Sequence, residues 1–171
     1  MKILFSALFI VLQITVLAQT AKPVTNAELK ALVGNWSGPL VATGFKFADG
    51  KNQHTYSTAL EVIDMQDSLM FNFAFTDVIT HEQRIEKFPL RIYDNGSKLS
   101  FDSTQFEITD LSRRGIRLTI YAEREGYDQN RRVEWQDVFI IGPGILNITK
   151  GIRYPDMIDF SIQKRLTLTK K

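Results

Sequence analysis

Asp137 stands in the run Val133-Glu134-Trp135-Gln136-Asp137-Val138-Phe139, where Val133, Trp135 and Phe139 fall on one face of an alternating pattern. Strict alternation aims the Asp137 carboxylate at the same side as the Trp135 and Phe139 rings. A carboxylate directed at an apolar interior needs a counter-charge, a proton or a wet cavity. Lys150, in phase with Ile148 and Ile152, and Lys164, in phase with Ile162 and Leu166, are candidate partners from neighbouring segments. An inward acid beside a lysine could hold the polar head of a bound molecule. The plainer alternative is a bulge or rim that turns these groups out to water.

Other side chains extend the candidate set. Phe71, Phe73 and Phe75 recur at every second position, and Tyr56 shares phase with Leu60 and Val62. Such a surface could line a cavity for an acyl chain or a flat ring, or it could be ordinary packing. Tyr56, Phe73, Phe75, Trp135 and Asp137 are therefore the candidate ligand-binding residues. His54 and His81 sit among polar neighbours at expected strand starts or loops, read as exposed, and neither belongs to a metal-ligand spacing. Glu123 and Glu125 share a face, but Arg117, Tyr121 and Arg124 nearby read as a solvated strand surface with cross-strand ion pairs. Arg113-Arg114 and Arg131-Arg132, each beside a turn, read as solvated loop charge. The motifs of serine hydrolases, phosphate loops, dinucleotide folds and zinc peptidases are missing from the sequence, so no catalytic residue, metal or cofactor is assigned. Asn35-Trp36-Ser37, Asn95-Gly96-Ser97 and Asn147-Ile148-Thr149 match glycosylation sequons, which matter only on a eukaryotic secretory route.

The elements that must position these groups are mostly strands. Leu69, Phe71, Phe73 and Phe75 alternate with polar or small residues, as do Ile116, Leu118, Ile120 and Ala122, and again Ile158, Phe160, Ile162, Leu166 and Leu168. This period predicts strands at 36–46, 53–64, 69–77, 84–93, 97–109 with a break near Ser103, 116–125, 131–141, 145–153 and 158–169. Turn chemistry separates them at Ala48-Asp49-Gly50-Lys51, Gln66-Asp67-Ser68, Asp94-Asn95-Gly96, Arg113-Arg114-Gly115, Gly126-Tyr127-Asp128-Gln129, Gly142-Pro143-Gly144 and Tyr154-Pro155-Asp156. One short helix precedes the strands. Thr25 and Glu28 have capping-box spacing, Leu29, Leu32 and Val33 share a face, and Gly34 can end the helix. Many strands with short connections and no helical crossover predict an all-β, single antiparallel up-and-down barrel of about 8–10 strands with a short N-terminal helix.

Composition bounds the rest. Met1-Lys2, a nearly unbroken apolar run from Ile3 to Ala18, and the small-residue exit Val16-Leu17-Ala18 read as a cleavable leader over residues 1–18. The run of about 16 residues is shorter than the roughly 20 a membrane helix needs. Residues 19–171 then form one domain, expected to be exported to a periplasm or the medium without stable membrane insertion. There are no cysteines, which excludes disulfides, thiol chemistry and a lipid-bearing cysteine. A formal charge of +2 without a clustered basic surface gives no reason to expect nucleic acid as a partner.

The segment Leu32-Val33-Gly34-Asn35-Trp36-Ser37-Gly38 carries a family resemblance. A short helix leading into Gly-x-Trp at the first strand resembles the calycin superfamily, which includes lipocalins, fatty-acid-binding proteins and bacterial lipocalin-like domains. The resemblance implies a barrel that holds a small apolar or amphipathic ligand, with Trp36 packed at the closed end beneath an Arg from the last strand, for which Arg165 is the candidate. Trp36 and Arg165 are structural residues in this reading. Further motifs of classical lipocalins are missing. Three functions remain open: a binding protein for a small ligand, a filled barrel serving as an interaction or envelope-accessory domain with no identified protein partner, and a barrel isomerase or cyclase with Asp137 as base. An interior volume of about 300 Å³ or more separates the first from the second.

Overall fold

The computed structural model describes residues 22–43 and 53–171. The expected leader and the Ala48–Lys51 turn lie outside them. Ten strands form one closed antiparallel barrel: β1 (Gly34–Thr43), β2 (Gln53–Asp64), β3 (Leu69–Asp77), β4 (Gln83–Tyr93), β5 (Lys98–Phe101), β6 (Thr104–Arg114), β7 (Arg117–Asp128), β8 (Arg131–Gly142), β9 (Ile145–Arg153) and β10 (Ser161–Lys170). Each strand pairs with its neighbours in sequence, and β10 returns to β1 with Trp36 opposite Lys170 and Leu40 opposite Leu166. Every strand has a partner on each side, so closure leaves no whole edge strand to template aggregation.

The segment expected over 97–109 with a break near Ser103 is a hairpin that turns there. Asp102 and Ser103 both take positive φ, 53° and 56°, which the tight turn requires and which Asp tolerates well. The β7–β8 turn is displaced from its expected place at Gly126–Gln129: β7 runs on to Asp128, and Gln129 and Asn130 make the turn with φ of 48° and 65°. Two expected alternations fail at their ends. Ile116 is 81% exposed because it sits in the β6–β7 turn, and Ile158 is 89% exposed because the chain from Tyr154 to Phe160 is a loop. β10 starts only at Ser161 and carries a register shift between Ile162 and Lys164.

A helix closes one end of the barrel. α1 (Asn26–Leu29) continues into a 3-10 turn (Lys30–Leu32), with the Thr25–Glu28 capping box formed. So short a helix owes its stability to docking. Leu29 and Leu32 are fully buried in the core. The Asn26 side chain donates to the Ile92 carbonyl and accepts from the Ile92 amide, at 3.2 and 3.1 Å. Arg113 does more than the solvated loop charge expected of it: it pairs with Glu28 at 3.0 Å and donates to the carbonyls of Lys22 and Pro23. From this end to mid-barrel the interior is solid, filled by Trp36, Val62, Phe71, Leu90, Leu99, Phe139 and Leu168. A helix stopper on a closed antiparallel barrel fits a calycin-like fold.

Candidate functional site

On β8 the inward side chains change character along the strand. Phe139 belongs to the solid core, Asp137 comes next, and Trp135 stands nearest the open end. β9 repeats the sequence in register, with Ile148 opposite Phe139, Lys150 opposite Asp137 and Ile152 opposite Trp135. Ala122, opposite Asp137 on β7, adds little bulk at this level. Above the core the barrel therefore holds space. A chamber of about 390 Å³ is bounded by Trp135, Asp137, Phe106, Arg124, Lys150 and Lys164, with Thr104, Asp128, Tyr154 and Gln163 completing its polar wall. A deeper compartment of about 100 Å³ adjoins it, sharing Asp102, Lys150 and Lys164 and floored by Phe73, Phe75, Phe88 and Phe101. Phe73 and Phe75 lie parallel, 5.1 Å between centroids.

Asp137 does face inward, only 3% exposed. Its Oδ2 is 3.3 Å from the Lys150 ammonium, close enough to pair, yet it makes no hydrogen bond. Burial pushes this carboxyl above its ordinary 3.8, against the opposing pull of the Lys150 and Arg124 charges. An acid raised in the folded state keeps its proton while the unfolded chain releases its own, so rising pH favours the unfolded chain until the folded pKa is passed. Asp137→Asn removes that penalty. Its stability relative to the wild type is expected to improve as pH rises from about 4 towards neutrality. Urea denaturation across that range is the check, and a constant difference between the two proteins would contradict it.

The other candidates separate. Tyr56 lines neither chamber; it packs half-buried against the core with its ring 4.7 Å from His54. The expectation of an exposed His54 fails, since its phase with Tyr56 and Thr58 turns it inward. Its Nε2 lies 2.5 Å from Asp77 Oδ2. The Asp77 carboxyl is held below its ordinary range first by the backbone amides of Thr80 and Ile79, then by His54. His81 is exposed. The cation above Trp36 is Lys170, its Nζ 5.3 Å from the ring, and not Arg165. Arg165 lies outward on β10 between inward neighbours, opposite Val41 and Thr149, which is too far along the strand to reach the closed end.

Arg124 is the residue that the surface reading of β7 misplaced. It shares phase with Ile120 and Ala122, and its guanidinium lies inside, 5.7 Å from the Phe106 ring and 5.4 Å from the Trp135 ring. The signal was present in the alternation but was hidden by the flanking glutamates. Those two do face out as expected: Glu125 pairs with Arg132 at 2.6 Å, and Glu123 accepts from Gln136 at 2.7 Å. A Cβ on Gly126 would stand 2.7 Å from an Arg124 Nη, so glycine here leaves the guanidinium its room.

Arg124 also marks a break in the wall. Pairing of β6 with β7 begins at Glu107–Glu123; Phe106 bonds only towards β5, and residues 124–128 only towards β8. An outer groove of about 620 Å³ runs along this divergence, and it shares Phe106 and Arg124 with the inner chamber. The two side chains thus stand between inside and outside. Among the described residues no group of three or more His, Asp or Glu side chains is arranged to hold a metal ion. No protein-family model matches the chain, and a search of curated proteins returns no match to it.

Proposed function

We propose that the protein is an exported, lipocalin-like binding protein that holds a small amphipathic molecule in the open half of its barrel. The observation that carries this reading is the 390 Å³ chamber above a solid lower half. Ligand pockets fall at about 300–1,000 Å³ and combine apolar walls with a few placed polar groups. Trp135 and Phe106 supply such walls, and Asp137, Lys150 and Arg124 such groups. A wholly apolar ligand suits the site poorly, because it would strand those charges without water. The deep compartment of about 100 Å³ has room for only about three water-sized groups, which favours a compact body over a long acyl chain. The barrel and its helix stopper support kinship with calycins. The interaction-domain reading draws only on the filled lower half. Asp137 as a catalytic base has the geometry it needs, since it faces the chamber with Lys150 3.3 Å away, but no further group there points to a reaction. Binding remains the better-supported function.

Native mass spectrometry of the protein purified from its own host tests the proposal. The expected spectrum contains a non-covalent small-molecule adduct, reduced in Trp135→Ala. Only bare chain, across preparations made without detergent or organic solvent, would contradict it.

A further inference from the structure

Three cations, Arg124, Lys150 and Lys164, and three carboxyls, Asp102, Asp128 and Asp137, line the chamber, but they do not all pair with one another. Lys150 shares Asp137, Arg84 pairs with Glu86 at 2.5 Å, and Asp128 accepts the Tyr154 hydroxyl at 2.5 Å. Arg124 and Lys164 have no carboxylate within ion-pair distance among the described residues. The Arg124 Nε is buried and has no hydrogen-bond acceptor. Lys164 is exposed as a residue but lines the same chamber, where desolvation and then the charges of Lys150 and Arg84 depress its pKa against the pull of Glu86 and Asp102. Three cations thus face one space, and the buried carboxyl there, Asp137, is engaged by Lys150 alone. What Arg124 and Lys164 lack is an acceptor within reach, because none of these carboxyls pairs with either.

We propose that Arg124, Lys150 and Lys164 form a subsite for an oxyanion head group on a ligand whose compact apolar body lies against Trp135 and the phenylalanines. The inference rests on the binding function above and names its ligand class: an organic carboxylate, sulfonate or phosphate. Charge-assisted hydrogen bonds to such a head are roughly twice as strong as neutral ones. A ligand without an acceptor oxygen would leave the Arg124 Nε unmet. A cationic one would add to the repulsion already acting on Lys164. Arg124, planar and within cation–π distance of two rings, fixes the orientation of the head, while the two lysines supply charge.

Two fluorescent probes with the same apolar body separate this inference from the reading beneath it. Anilinonaphthalene sulfonate carries the anion, and phenylnaphthylamine lacks it. The full chain is expected to bind the sulfonate at least about tenfold more tightly, the scale of one charge-assisted hydrogen bond. In Arg124→Gln and Lys164→Gln the ratio of the two affinities is expected to fall to within about twofold, while Arg124→Lys keeps part of it. Thermal midpoints of the variants confirm that each is folded. Competition by naphthoate or by naphthyl phosphate then distinguishes a carboxylate from a phosphate head; success of either supports the subsite. Equal binding of both probes by the wild type overturns the oxyanion subsite and leaves the cavity function standing. A sulfonate preference that survives in both glutamine variants also overturns it. Binding of neither probe overturns both.

Discussion

Gly38→Ala is expected to destabilise the protein by at least about 3 kcal/mol, near the upper end for overpacking a closed interior. Gly38 lies on β1 between Trp36 and Leu40, at the seam where β10 closes the barrel. A Cβ there would stand 2.0 Å from the Thr167 carbonyl oxygen and 3.2 Å from the Leu168 Cα. Both atoms are backbone, so no rotamer change relieves the clash, and the two strands must part. Parting them costs ladder hydrogen bonds and loosens the contact beside Leu168, one of the fully buried core residues. For a chain of this size the loss corresponds to a drop of about 6–12 °C in thermal midpoint. Gly142→Ala is the matched control, because a Cβ at Gly142 meets nothing within 4 Å. Paired thermal and urea unfolding curves decide the matter. If the two variants unfold together, the seam is not as tight as described.

Trp36→Ala is expected to cost about 3–5 kcal/mol, the usual toll for deleting a large buried ring. Trp36 is 1% exposed, and its Nε1 donates to the Leu32 carbonyl at 2.7 Å. That bond ties the first strand to the 3-10 turn, while Lys170 at the end of β10 covers the ring and donates to the Ala31 carbonyl at 3.1 Å. The ring thus joins the helix stopper to both strands of the seam. Trp36→Phe keeps most of the volume but strands the Leu32 carbonyl, for a loss of about 1–3 kcal/mol. Lys170→Met, which removes a partly exposed cation–π contact, is expected to cost no more than about 1 kcal/mol. Trp135→Ala should fall well below Trp36→Ala in stability, because Trp135 borders space instead of filling it. Chemical denaturation of the four variants gives the ranking. Equal losses at Trp36 and Trp135 would contradict the division into a solid half and an open half.

That division was only partly legible in the sequence. Period-two alternation places Phe71, Phe73, Phe75, Trp135 and Asp137 on the inner surface, and the structure keeps them there. Alternation reports a face and not a height along the barrel. Phe71 in the sealed core and Phe75 beside the deep compartment therefore look alike until the strands are put in register. The same limit explains Arg165. Five residues along an antiparallel strand carry a side chain from the closed end to mid-barrel, so the cation over Trp36 had to come from Lys170. Arg124 was obscured for a different reason. Its glutamate neighbours and the adjacent glycine read as a turn approach, whereas β7 continues to Asp128 and carries Arg124 inward. The divergence of β6 from β7 has no sequence signature at all, because a missing pair is a property of two strands and not of either one.

The most direct measurement is a crystal structure of the protein grown with anilinonaphthalene sulfonate. The account predicts one ordered probe inside the barrel, its sulfonate among Arg124, Lys150 and Lys164 and its rings against Trp135, above an interior that stays closed from Phe139 down to Trp36. A barrel whose own side chains fill that space, with the probe lodged only on the outer wall, would contradict it.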